Sequence, residues 1–86
     1  MLRKINARFA ETALDDEIVL MNIDDGKFYA LKGTSLAIWQ RIDGTRGTAE
    51  IANELTAEYD VDPDTCAAEV ARFLEAMTGA GFVEQG

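Results

Sequence analysis

Eighty-six residues, 48% of them hydrophobic, suit one compact domain near the lower size limit for folding around a single core. One cysteine, Cys66, and no histidine exclude an internal disulfide framework, argue against a structural zinc site and remove the commonest general base. The net charge of −8 is unevenly placed: residues 1–46 balance, whereas residues 47–86 hold nine acids and one base, Arg72. The C-terminal half therefore repels phosphate backbones and attracts a basic peptide or the basic face of a partner.

Met1 to Ala10 carries Arg3, Lys4 and Arg8, and no long apolar run follows. Neither a signal peptide nor a spanning helix is expected, and the expected location is the cytoplasm, away from membranes. Arg3 and Lys4 read as solvated residues ahead of a first strand over about Arg8 to Ala13. A second strand, Glu17 to Asp24, is rich in β-branched and apolar residues. Asp25-Gly26 and a third strand, Lys27 to Leu31, follow. Asp-Gly between two such runs signals a two-residue type I′ turn, which needs positive φ at both positions. That turn sets Asp24 opposite Lys27, Ile23 opposite Phe28, Asn22 opposite Tyr29, Met21 opposite Ala30 and Leu20 opposite Leu31. Val19, Met21, Ile23, Phe28 and Ala30 then share one face. Ile18, Leu20, Tyr29 and Leu31 share the other, with Asn22 as its polar exception. Both faces are apolar, so one meets helices and the other needs partial cover. Lys27 to Leu31 is left as an edge able to accept a further strand.

Three helices follow. Thr34 to Asp43 carries Leu36, Ile38, Trp39 and Ile42 on one stripe and stops at Gly44. Thr48 reads as the N-cap of a helix through Tyr59, with Ile51, Ala52, Leu55 and Tyr59 inward. Asp62-Pro63 opens the third, with aspartate as cap and proline in the first turn, where its missing N–H is harmless. Cys66, Val70, Phe73, Leu74 and Met77 form its apolar stripe, Gly79 and Gly81 end it, and Phe82-Val83 closes the chain. The order βββααα is that of an α+β domain.

These residues resemble the PqqD-like family, also called RiPP recognition elements. The first half carries Gly26, Phe28, Tyr29 and Leu31, then Ile38-Trp39, then Asp43-Gly44. The second half carries Ile51 and Leu55, Tyr59 and Val61, the Val70-x-x-Phe73-Leu74 core and Gly81-Phe82-Val83. The likeness covers roughly residues 8 to 84. Each motif is loose; their order and spacing are specific. Two departures stand out. Lys32-Gly33 follows the third strand, where asparagine is common in the family. The Pro-Glu usual before that strand in members devoted to pyrroloquinoline quinone is missing, which favours lasso-peptide and other precursor pathways.

The resemblance implies a winged-helix-like domain that binds the leader of a ribosomally made precursor peptide. The leader would lie antiparallel along the third strand, in the groove beside the third helix, held by main-chain hydrogen bonds with side-chain pockets for selection. Partner enzymes would be a leader peptidase, a cyclase or a radical enzyme, and no cofactor, metal or nucleic acid is implied. The expected binding set is Lys27, Phe28, Tyr29, Ala30 and Leu31 on the strand, with Asp64, Ala67, Glu69, Val70, Ala71, Arg72, Phe73 and Leu74 on the helix. Within it Leu31, Val70, Phe73 and Leu74 also read as core. Ala67 and Ala71 are small enough to leave a shallow groove, and Asp64, Glu69 and Arg72 could pair with leader charges. Cys66 reads as a small buried apolar residue and Trp39 as core. The open edge allows a monomer or a strand-swapped dimer.

Three other functions compete. A winged-helix DNA binder needs a basic reading helix, and Arg72 stands alone among carboxylates. An acyl carrier protein needs Asp-Ser-Leu at a helix start; Thr34-Ser35-Leu36 lacks the aspartate, and carriers are all-helical. An enzyme needs an activated nucleophile, a metal cluster or a phosphate-cradling loop, none of which is visible.

Overall fold

A computed structural model describes residues 1–85. The elements run β1 (Leu2–Lys4), a 3-10 turn (Asn6–Arg8), β2 (Phe9–Ala13), β3 (Glu17–Asn22), β4 (Phe28–Lys32), α1 (Gly33–Gln40), α2 (Thr48–Tyr59), α3 (Pro63–Gly79) and β5 (Val83–Gln85). The expected three strands and three helices are present as β2–β4 and α1–α3. The antiparallel sheet has the order β2-β3-β4, which leaves β4 at an edge. Outside the expected βββααα order, β1 and β5 form a second, two-stranded antiparallel sheet.

The hairpin differs from the expected one. Met21 lies opposite Phe28, Leu20 opposite Tyr29 and Ile18 opposite Leu31, a shift of two residues from the I′ register. Asn22 is the cause. Its Oδ1 accepts the Asp24 N–H at 2.9 Å, its carbonyl accepts the Gly26 N–H at 2.8 Å, and its own N–H donates to the Lys27 carbonyl at 2.8 Å. Asparagine thereby nucleates a wider five-residue loop, and only Gly26, at φ 75°, adopts the left-handed conformation there. A slip of two keeps every side chain on its face, because the strand period is two. Ile18, Leu20, Asn22 and Leu31 are accordingly buried, whereas Phe28 is 70% exposed and Ile23 54% exposed.

The buried face meets the helices. Trp39 of α1 lies edge-on to Phe9, with centroids 5.2 Å apart, and Phe82 packs against both Phe9 and Tyr29. The Trp39 indole N–H donates to Glu11 at 3.0 Å, so this fully buried ring leaves no donor unmade. Gly33, at φ 56°, makes the abrupt change from β4 into α1, a backbone conformation that glycine adopts without strain. The helix ends at Gln40, three residues before the expected Asp43, although Ile42 is still buried.

For α2, Gly47 rather than Thr48 occupies the N-cap position, and its N–H donates to Glu50 at 3.1 Å. Ile51, Ala52 and Leu55 point inward as expected, but Tyr59 is 54% exposed because α2 ends there, with Asp60 in the left-handed region. Arg41 and Arg46 tie the α1–α2 connection to Glu54, Glu58 and Asp43. Asp62 caps α3 by accepting the Thr65 N–H at 2.9 Å. At the other end the Phe82 N–H bonds the Met77 carbonyl at 3.0 Å, turning the chain into β5.

Arg3 is exposed as expected, whereas Lys4 is half-buried. Arg3 pairs with Glu84 across the β1–β5 sheet at 3.2 Å, and the Lys4 ammonium lies 4.5 Å from the Trp39 ring centroid. Burial pushes the Lys4 ammonium below the ordinary lysine range, against the opposing pull of Glu11 and Asp43. Among the described residues no helix is long and apolar enough to cross a membrane.

Candidate functional site

The open edge is defined by its hydrogen-bond alternation. The Asn22-to-Lys27 bond makes those two residues a hydrogen-bonded pair across the hairpin. In an antiparallel ladder such pairs alternate, so the main-chain groups of Tyr29 and Leu31 face β3. The N–H and C=O groups of Phe28 and Ala30, and the N–H of Lys32, therefore face the free edge. Lys27 itself lies in the loop, one residue before the strand.

The five expected strand residues thus divide. Phe28 and Ala30 offer both backbone groups and exposed side chains. Tyr29 is half-buried against Phe82, and Leu31 is core.

Beside the Lys32 end of β4 lies a groove of about 500 Å³ between the start of α1 and one flank of α3. Its α3 wall is Glu69, Arg72, Phe73 and Ala76, and its α1 side includes Thr34, Ser35 and Ile38. Residues 69, 72, 73 and 76 follow the i, i+3, i+4, i+7 spacing of one helix face. Val70 and Leu74 sit in the core, at 0% and 5% exposure, and Phe73 is half-buried between core and groove. Ala67 and Ala71 are exposed but lie two positions from Glu69 and Phe73, hence on the opposite side of the helix, at about 100° per residue. Asp64 shares that far side. From the expected helix set the groove therefore gathers Glu69, Arg72 and Phe73. Lys32, Thr34, Ser35, Ile38 and Ala76 also line it; the spacing from Glu69 and Phe73 could have pointed to Ala76.

Electrostatically the groove holds both signs. Lys32 pairs with Glu17 at 3.4 Å on the outer face of the sheet. Glu69 and Arg72 are exposed, and neither forms an ion pair with another described residue. Both are available to charges brought by a ligand. Among the described residues no group of three acids or cysteines is arranged to hold a metal ion.

Residues 17–83, most of the chain, match the protein family described as coenzyme PQQ synthesis protein D (PqqD). The PqqA binding proteins of Xanthomonas euvesicatoria pv. vesicatoria (strain 85-10) and Xanthomonas axonopodis pv. citri (strain 306) are each 40% identical over 47 residues, 55% of this chain. That alignment spans about half the length of these curated relatives, 51%. Among solved structures, TbiB1 in complex with the TbiA(beta) leader peptide is similar at TM-score 0.81 and 28% identity, covering 96% of each chain. A lasso peptide synthetase B1 complexed with the leader peptide shares the fold at TM-score 0.82 and 23% identity, over 98% of each chain. The family match begins at the first residue of β3, takes in the β4 edge and all three helices, and ends in β5: the chain belongs to the PqqD family.

Proposed function

We propose that this protein binds the leader segment of a ribosomally synthesised precursor peptide by adding it as an antiparallel strand to β4, and presents the precursor to modifying enzymes. The observation that carries this is the free β4 edge, with the outward main-chain groups of Phe28, Ala30 and Lys32 leading to the groove walled by Glu69, Arg72, Phe73 and Ala76. Main-chain pairing supplies affinity and the groove supplies selection. The whole-length similarity to TbiB1, a protein solved with a leader peptide, supports leader binding here. The Asp24-Asp25-Gly26-Lys27 loop in place of Pro-Glu favours a lasso-type pathway over a pyrroloquinoline quinone one. On this reading residues 1–86 act as one winged-helix-like recognition domain, in the cytoplasm, without catalysis of its own. The enzyme it serves would be a leader peptidase, a cyclase or a radical enzyme.

The test is titration calorimetry with the leader peptide of the precursor encoded beside this protein. Ala30→Pro removes an edge N–H and leaves the β3–β4 ladder intact, because Ala30 faces away from β3. The expected result is saturable binding to the wild type and none to Ala30→Pro, with unchanged far-UV circular dichroism. Binding that Ala30→Pro leaves unchanged, or no binding to the wild type, overturns strand addition at β4.

A further inference from the structure

The outer face of the β2-β3-β4 sheet, opposite the helices, is apolar at its centre. Its cross-strand rows are Thr12, Val19 and Ala30, then Ala10, Met21 and Phe28, with Ile23 one row further toward the hairpin loop. Phe28 and Ile23 are the large exposed side chains, Ala10, Thr12 and Ala30 are exposed, and Val19 and Met21 are half-buried. Charges bound this patch at both ends. Beyond Val19 and Ala30, Glu17 and Lys32 pair at 3.4 Å. Beyond Met21 and Phe28, the loop carries Asp25 and Lys27, neither of which forms an ion pair with another described residue. A contiguous apolar face left to solvent marks a place of interaction.

We propose that this face packs on the same face of a second copy of the chain, about a two-fold axis that runs across the strands. Such an axis keeps β4 over the partner's β4 and exchanges the two ends of the strands. The row of Thr12, Val19 and Ala30 then meets the partner's Ala10, Met21 and Phe28. Each large side chain, Phe28 or Met21, meets a smaller one, Ala30 or Val19, and the contact is made twice because it is reciprocal. The Glu17–Lys32 pair comes over the partner's loop, where Asp25 offers Lys32 an acid and Lys27 offers Glu17 a base. A two-fold axis along the strands would instead stack Met21 on the partner's Met21 and Glu17 on the partner's Glu17, a like-charge contact that disfavours it.

Packed sheets lie about 10 Å apart with their strands within about 30° of each other. The central rows therefore stay in register, and the ends spread within reach of the long Lys32, Glu17 and Lys27 side chains. Three strands about 4.8 Å apart and four rows about 6.8 Å apart project to roughly 300 Å², at the low end for protein interfaces. The pair is accordingly reversible and depends on concentration. It leaves the outward main-chain groups of Phe28, Ala30 and Lys32 free, so it does not depend on strand addition at β4. It brings the two β4 edges to the same flank of the dimer.

Sedimentation velocity on the full chain, from about 5 to about 500 µM, tests this. The wild type is expected to pass from monomer to dimer across that range. Ile23→Glu sets a carboxylate against the partner's Glu17 from an exposed site. It is expected to stay monomeric throughout, with the far-UV circular dichroism of the wild type. Lys32→Glu and Asp25→Lys are each expected to weaken pairing about tenfold, and the two together to restore it, because the reversed charges meet only across the axis. A wild type that is monomeric at every concentration overturns the proposal and leaves the face to a different protein. A dimer that Ile23→Glu leaves intact also overturns it, since the copies are then joined elsewhere, as by their β4 edges. Charge reversals that fail to compensate overturn the axis across the strands.

Discussion

Asn22 is the residue that most directly converts sequence into geometry. Its polar side chain interrupts an otherwise apolar sheet face, and burial of an amide is tolerated only where its hydrogen bonds are made. Oδ1 holds the Asp24 N–H, and Nδ2 reaches the Ala80 carbonyl at 3.5 Å, linking the hairpin loop to the end of α3. Asn22→Ala is expected to lower stability by about 1–2 kcal/mol in urea denaturation, since the Asp24 N–H and the Ala80 carbonyl lose their partner. A variant within about 0.3 kcal/mol of wild type would show that water replaces the side chain fully. Exposure divides the expected contact residues into two groups. Val70 and Leu74 stand in the core, so replacing either with a charge reads out folding. Phe28, Ala30, Glu69 and Arg72 are exposed, so on the proposed reading their variants test binding without disturbing the core.

Among the elements, α3 is the best specified by sequence, and its start shows why. Asp62-Pro63 supplies an acceptor for the exposed N–H groups and a residue that needs none, so the predicted boundary and the observed one coincide. The Thr65 N–H and then its hydroxyl hold the Asp62 carboxyl below the ordinary aspartate range. The unfolded chain therefore takes up its proton first as pH falls. The stability from this cap is complete above the ordinary aspartate pKa of about 3.9 and is lost as pH drops through the lower folded value. Asp62→Asn keeps an acceptor that does not titrate. Urea midpoints at neutral pH and near pH 3 are expected to show the wild type losing ground relative to Asp62→Asn on acidification; a constant difference would place the acid sensitivity elsewhere. The hairpin was harder to read. Asp25-Gly26 signals a turn correctly, but propensity alone does not weigh a competing Asx turn begun by Asn22 three residues earlier. The edge position of β4 follows from strand order and is independent of register, and the faces of the hairpin are kept because the difference is an even number of residues. The groove was only half legible, since α3 periodicity orders the residues around the helix but does not say which flank α1 leaves open.

At the scale of the whole molecule, the β1–β5 sheet escaped sequence reasoning for a physical reason. Each strand has three residues, too few to show alternation, and the partners lie about eighty positions apart. Yet Leu2, Phe82 and Val83 are buried, and the Leu2 main chain bonds both Arg46 and Gly44, so this small sheet closes the side of the core opened by the α1–α2 connection. Leu2→Ala removes a side chain that is 2% exposed and is expected to cost about 2–4 kcal/mol, a large share of the stability of so small a domain. Leu2 does not line the groove beside β4. Leader affinity, measured well below the variant's unfolding temperature, is therefore expected to stay at the wild-type value while the urea midpoint falls. A loss of affinity alongside stability would mean that the β1–β5 closure positions α3 against β4. In that case the binding edge and the terminal sheet would be one cooperative unit, not two regions joined only through the core.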